Sequence, residues 1–230
     1  MRELQPRGAS NRLIVALVGT LAVLALWNVV VRPSVASTYH LPGSLVVAVA
    51  VVALGLWAGL GAAGMGLARA DFGSGLRWGA AAAGTVALVV LAGALLSATR
   101  ASFDVPRAHV GLGELVDQVL VVIPLSTVLV EELIFRGTLL GLLLQLLPRA
   151  WAVAVCSVLF GLWHLDVIVA NNPDDALHVA AVGLGTVVAT GAAGVVFCWL
   201  RLRSQSLLAP IFAHLATNTI PLVIAWFLVH

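Results

Sequence analysis

Long apolar segments alternate with short polar links along almost the whole chain. Three early segments, 13–31, 44–66 and 78–99, contain no charged residue. Each is close to the ~20 residues that a helix needs to cross the hydrocarbon of a bilayer. Further apolar segments cover 119–147, 150–165, 179–200 and 207–229. The pattern predicts an all-α, polytopic transmembrane helical bundle of about seven to eight membrane segments.

The segment 119–147 is the least regular of these. It is apolar except for Glu131, Glu132 and Arg136, and it is too long for one upright span and too short for two. A break at Pro124 or Gly137 would give either one tilted, kinked helix or a full span followed by a short returning helix. The sequence leaves both open, and the choice between seven and eight crossings stays open with them.

Composition indicates a membrane environment. Of the 230 residues, 61% are hydrophobic and 10% are charged, and the mean hydropathy of +1.09 is far above that of soluble globular domains. A net charge of +2 gives no basic face for nucleic acid, so we expect no nucleic-acid partner. Cys156 and Cys198 lie inside apolar segments without disulfide or metal-site spacing, and we expect both to be packing residues.

The arginines predict the orientation of the chain. Because positive residues favour the cytoplasmic side, the N-terminal arginines predict a cytoplasmic N-terminus. Seven crossings would then place Arg201 and Arg203 inside and the acidic stretch 166–175 outside. A short, lysine-free, Ala/Val/Leu-rich chain is typical of a bacterial protein, so we expect an integral protein of the bacterial cytoplasmic membrane.

Charged residues inside an apolar segment need an explanation. At the bilayer centre each costs ~2.5–3.5 kcal/mol on insertion scales. Glu132 and Arg136 are four residues apart and can form a buried ion pair on one helix face, whereas Glu131 points about 100° away and is the spare carboxylate. The alternatives are a functional site and a polar cluster that only holds helices together.

Two other apolar segments also carry polar residues at helical spacing. His164 follows Phe160 by four residues, and His214 and Asn218 are four residues apart. A carboxylate and a histidine can activate a water, while a second histidine and an asparagine amide can donate to the oxyanion. This set is sufficient for amide hydrolysis.

A metal-dependent version uses the same residues. Glu131, His164 and His214 are a plausible zinc ligand set with an open fourth position, so the cofactor is either a divalent metal such as zinc or none. Glu131 would then be a ligand and no free base would remain, and the chain has no HExxH motif. These two points favour the metal-free mechanism.

Three short motifs in this order resemble one protein family. Residues 131–137 (EELIFRG), 160–164 (FGLWH) and 214–218 (HLATN) are similar to the EExxxR, FxxxH and HxxxN motifs of the CPBP family, the CAAX-processing and bacteriocin-processing intramembrane proteases also called Abi proteins. The resemblance implies that Glu131 and His164 activate water and that His214 and Asn218 stabilise the oxyanion. It implies supporting roles for Glu132, Arg136 and Phe160.

We therefore expect one membrane domain over 1–230, with scaffold helices in 1–110 and a catalytic core in 111–230. The predicted function is an intramembrane endopeptidase that acts on a membrane-associated protein or peptide, with membrane lipid as its surroundings. Two alternatives stay open: a non-catalytic membrane immunity or partner-binding protein of the same family, and a small transporter in which glutamate and histidine relay ions.

Overall fold

The structure is a computed structural model that describes residues 7–165 and 176–230. Every regular element within these residues is a helix, which confirms the all-α prediction. The described residues form seven main helices: α1 (Arg7–Ala25, continuing to Ser34), α2 (His40–Trp57), α3 (Phe72–Leu95), α4 (Leu112–Leu146), α5 (Arg149–Trp163), α6 (Ala176–Ser204) and α7 (Leu208–Val229).

Six helical stretches of the described chain are long and apolar enough to cross a membrane: Asn11–Ser34, His40–Trp57, Ala62–Leu95, Leu112–Leu146, Ala180–Ser204 and Leu208–Val229. The helix α5 is apolar but shorter. Counted with α5, the structure comes close to the seven to eight segments that the sequence predicts. The acidic stretch 166–175, on which part of the orientation prediction depends, lies outside the described residues.

The ambiguous segment 119–147 forms the greater part of one continuous helix, α4. Neither Pro124 nor Gly137 ends it, because the backbone is π-helical over Gln118–Val128 and again over Leu133–Leu139. Proline has no N–H to donate and disrupts the regular i→i−4 ladder, and a wider helical turn accommodates that disruption. Residues 137–147 are therefore the end of α4 rather than a separate returning helix.

The most buried part of α4 lies at the centre of the bundle. Its residues from Val130 to Leu143 are almost all buried and pack against α1, α2, α5 and α6. Around it, α3 packs along α7 and α5 packs along α6. The α5–α6 contact depends on Gly161, where a Cβ atom would lie only 2.6 Å from the backbone oxygen of Val187.

A buried arginine joins the end of α6 to the turn that precedes α3. Arg201, which the sequence predicts at a membrane edge, is only 4% exposed. Its Nη2 donates to the carbonyl oxygens of Ala63 and Gly64 at 3.2 and 3.0 Å. Gly66 turns the chain there with a positive φ of 74°, close to this guanidinium. Arg201 thereby adds a donor at the C-terminal end of the short helix Ala62–Met65, where the carbonyl of Ala63 also accepts from the N–H of Gly66.

Candidate active site

Three helices bring the predicted site residues to one place. α4 supplies Glu131, the residue after the end of α5 is His164, and α7 supplies His214 and Asn218. All four side chains line one cavity of about 450 Å³, which we call the site cavity. Phe160, predicted as a supporting residue, lines it too. None of the four faces away from the cavity into the apolar surroundings.

The two carboxylate oxygens of Glu131 have different surroundings. Oε1 accepts a hydrogen bond from the indole Nε1 of Trp163 at 3.1 Å. Oε2 is buried without a hydrogen-bond partner among the described residues. It lies 3.9 Å from Nε2 of His164 and 3.9 Å from Nε2 of His214. One oxygen is thus held by Trp163, and the other faces two imidazoles.

The neighbouring Glu132 is fully buried and takes part in a second network. Its Oε1 accepts hydrogen bonds from Nη1 of Arg136 at 3.1 Å and from Nδ1 of His214 at 2.9 Å. The ion pair that the four-residue spacing predicts is therefore present. The bond from His214 was not predicted, and it links the ion pair on α4 directly to the site residue on α7.

Aromatic rings enclose the buried guanidinium of Arg136. Its Cζ lies 3.9 Å from the ring centroid of Phe160 and 5.0 Å from that of Phe197. Nε and Nη2 have no hydrogen-bond partner among the described residues, so the ring faces supply much of the attraction that water would otherwise provide. Phe197 also stacks on His214 with centroids 4.9 Å apart. The same rings therefore hold both the cation and the imidazole.

The hydrogen bonds at Nδ1 fix the tautomers of both histidines. Nδ1 of His164 lies 2.8 Å from the carbonyl oxygen of Phe160, which can only accept. Nδ1 of His214 lies 2.9 Å from the Glu132 oxygen that also accepts from Arg136. Each Nδ1 must therefore carry the proton. When singly protonated, each imidazole presents the lone pair of Nε2 to Glu131, so a second proton on Nε2 or a bridging water is needed between these groups.

The predicted zinc ligand set, Glu131, His164 and His214, has suitable chemistry but a wide spacing. Neighbouring ligand atoms around a tetrahedral zinc, each ~2.0–2.1 Å from the metal, lie about 3.4 Å apart, whereas both Nε2–Oε2 separations here are 3.9 Å. Within residues 7–165 and 176–230, no three His, Cys, Asp or Glu side chains form a group that could hold a metal.

A single water that hydrogen-bonds at about 2.8 Å to both atoms spans the same 3.9 Å separation. As placed, these residues fit a bridging water more closely than zinc. The Nδ1 bonds to a carbonyl oxygen and to a carboxylate are nevertheless also those found behind metal-bound histidines. An activity assay with and without a chelator therefore tests whether a metal takes part.

Asn218 lies at the edge of the site. Its Nδ2 donates to the carbonyl oxygen of His214 one turn earlier, at 3.0 Å. The side chain is half-buried and lines both the site cavity and an adjoining cavity of about 370 Å³ with mostly apolar walls. Because the amide carries two hydrogens, one remains for a group bound in the site cavity.

Sequence reasoning missed several residues that line the site cavity. Trp163 appears in the FGLWH motif, but only its burial reveals that its N–H requires a partner. Phe197 belongs to no motif and carries no signal in the sequence. Arg32 and Arg107 follow the pattern of arginines at membrane edges, yet both line the cavity.

Comparison with known proteins gives one family match. Residues 117–220 match the family model described as type II CAAX prenyl endopeptidase Rce1-like, which confirms the predicted resemblance. The matched region covers a little under half of the chain and includes all four predicted site residues. Neither curated proteins nor solved structures gave a significant match. The match supports a membrane-embedded protease at the level of the family.

Proposed function

We propose, from the Rce1-like match over residues 117–220, that this protein is an intramembrane endopeptidase that hydrolyses a peptide bond of a membrane-associated protein or peptide. One observation carries the proposal: a buried carboxylate oxygen of Glu131, without a hydrogen-bond partner in the described part of the chain, faces the Nε2 atoms of both histidines in a single cavity. Oε2 of Glu132 also has no hydrogen-bond partner among the described residues, but Glu132 does not line the cavity. The position of the Glu131 oxygen between two imidazoles in a cavity, rather than its lack of a partner, is therefore what favours catalysis over a purely structural cluster.

In this proposal, Glu131 acts as the general base. A water in the site cavity donates one hydrogen bond to Oε2 of Glu131 and the other to the Nε2 lone pair of His164. Transfer of a proton from the water to Glu131 produces a hydroxide that attacks the peptide carbonyl. The same proton then passes to the leaving amine, which completes the hydrolysis.

His214 and Asn218 stabilise the oxyanion. Because Nδ1–H of His214 is held by Glu132, the ring can donate from Nε2 only when it carries a second proton, which it takes from solvent water before the peptide binds and returns after the products leave. The buried Glu132 carboxylate stabilises this imidazolium, as the carboxylate of a catalytic triad does for its histidine. The free N–H of Asn218 provides the second donor. Donors aimed at a developing oxyanion are each worth about 10²–10³ in kcat.

The test is cleavage of a membrane-peptide library by purified protein in detergent or liposomes. Wild type should cut at least one peptide. Turnover by Glu131→Gln should be lower by a factor of about 10²–10⁴, while the variant remains folded. A parallel assay after chelation decides whether a metal takes part. If Glu131→Gln loses stability and wild type cuts no peptide, the non-catalytic binding protein is the better conclusion.

We also propose that the protein resides in a bacterial cytoplasmic membrane with its N-terminus in the cytoplasm, because arginines concentrate at the N-terminus and in the last turn of α6. Protease protection of a tag fused to the N-terminus in sealed vesicles tests this orientation. Digestion of the tag from the periplasmic side would contradict it.

A further inference from the structure

A second cavity reaches Glu131 from another direction. It has a volume of about 630 Å³, larger than the site cavity, and lies between the start of α2, the link before it and the first half of α4. The two cavities share Arg32, Thr127, Glu131 and Trp163 in their walls. Glu131 therefore lies where the two cavities meet.

The lining of this cavity is largely polar, and its polar residues run from helix ends, such as the start of α2, inward to Glu131. Besides the shared residues, it includes Thr38, His40, Ser44, Asp117 and Ser126. Polar groups at membrane depth are costly unless they have partners or line a water-filled space. A cavity of this size holds many waters at ~30 Å³ each, and its hydroxyl, imidazole and carboxylate groups supply the partners that such waters need.

On its other side, the site cavity adjoins a cavity with mostly apolar walls. At Asn218 and Arg107 it adjoins the cavity of about 370 Å³ that is lined mainly by apolar residues such as Phe103, Pro221 and Leu222. Apolar walls beside the oxyanion donors suit the side chains of a membrane peptide. A bound peptide would then fill the site cavity from this side and close it to solvent.

We propose that the second cavity is a separate water entrance that supplies the hydrolytic water to Glu131 while the peptide occupies the site cavity. That this water hydrolyses a peptide bond rests on the proposed function. That the cavity is filled with water does not. Water arriving by this path meets Glu131 and Trp163 without passing the substrate.

The experiment uses a single cysteine at Ser126 in full-length protein in liposomes, with the buried Cys156 and Cys198 replaced by alanine. A charged thiosulfonate reagent reacts only with a thiolate that water reaches. The matched control is Leu125→Cys, because Leu125 is 43% exposed on the same helix yet lines none of the three cavities. We expect the Ser126→Cys variant to react at least about tenfold faster than this control.

Turnover is then compared before and after modification of the Ser126→Cys variant. Blocking the water supply should lower kcat by about tenfold and leave KM within about twofold, since peptide binding is untouched. Equal labelling of the two variants would overturn the proposal, because the cavity would then be dry. A raised KM with unchanged kcat would also overturn it, because the cavity would then hold peptide. Failure of the proposed protease function would appear instead as absent turnover in wild type, and labelling would still decide hydration.

Discussion

Changing each of the two adjacent glutamates to glutamine should have a different effect. Glu132→Gln should lower stability, whereas Glu131→Gln should lower turnover and leave stability nearly unchanged. Glu132 holds two hydrogen bonds from charged or polarised donors, Nη1 of Arg136 and Nδ1 of His214. Glutamine at this position removes the charge that compensates a guanidinium with no exposed surface. Removing one partner of a buried ion pair typically costs about 3–5 kcal/mol.

We expect the lower end of that range for Glu132→Gln, about 3 kcal/mol. The face of Phe160 at 3.9 Å still attracts the cation, and such contacts are worth up to ~2 kcal/mol when desolvated. By contrast, Glu131→Gln should change the free energy of unfolding by less than about 1 kcal/mol. Its amide oxygen still accepts from Trp163, and the oxygen that it replaces by nitrogen had no hydrogen-bond partner among the described residues.

The assay is unfolding in mixed micelles with increasing denaturing detergent, followed by loss of helical circular dichroism. A double variant provides the control: Arg136→Met added to Glu132→Gln should recover stability, because the uncompensated charge is gone. The reasoning is refuted if Glu132→Gln unfolds like wild type, or if Glu131→Gln is the less stable of the two.

Two further predictions follow from contacts of α5. Trp163→Phe removes the hydrogen-bond donor to Glu131 and keeps an aromatic ring, so kcat should fall by about 10- to 100-fold with KM within about twofold of wild type. The control is Trp151→Phe, which changes a 65%-exposed tryptophan of the same helix and should leave kcat unchanged. Equal kcat values for the two variants would exclude a positioning role. Gly161→Ala forces a methyl against backbone and should destabilise by about 1–3 kcal/mol in the same unfolding assay. Gly185→Ala on α6, where no neighbouring atom of the described residues lies within 4 Å of the added methyl, should be neutral or stabilising by up to about 1 kcal/mol. Equal losses of stability in the two glycine variants would show that the close α5–α6 contact at Gly161 does not limit stability.

Much of the fold was predictable from the chain because the bilayer sets the length of its elements. A segment of about 20 apolar residues can satisfy its backbone in hydrocarbon only as a helix, so the predicted segments 13–31, 44–66 and 78–99 overlap helices of the structure. Contacts within one helix were predictable for the same geometric reason. The pair Glu132–Arg136 follows from a four-residue spacing alone.

The tertiary structure decided everything that depends on which helix faces meet. Trp163 is 32 residues from Glu131, and His214 is 82 residues from Glu132, so no local spacing reports either hydrogen bond. The continuity of α4 through Pro124 also depended on π-helical backbone that hydrophobicity does not encode. The sequence by itself determined which polar side chains lie inside apolar segments, but not that Arg32, Arg107 and Arg201 are part of the interior. Packing alone determined which oxygen of Glu131 is held, which is free, and which cavities reach it, because these are properties of the space between helices.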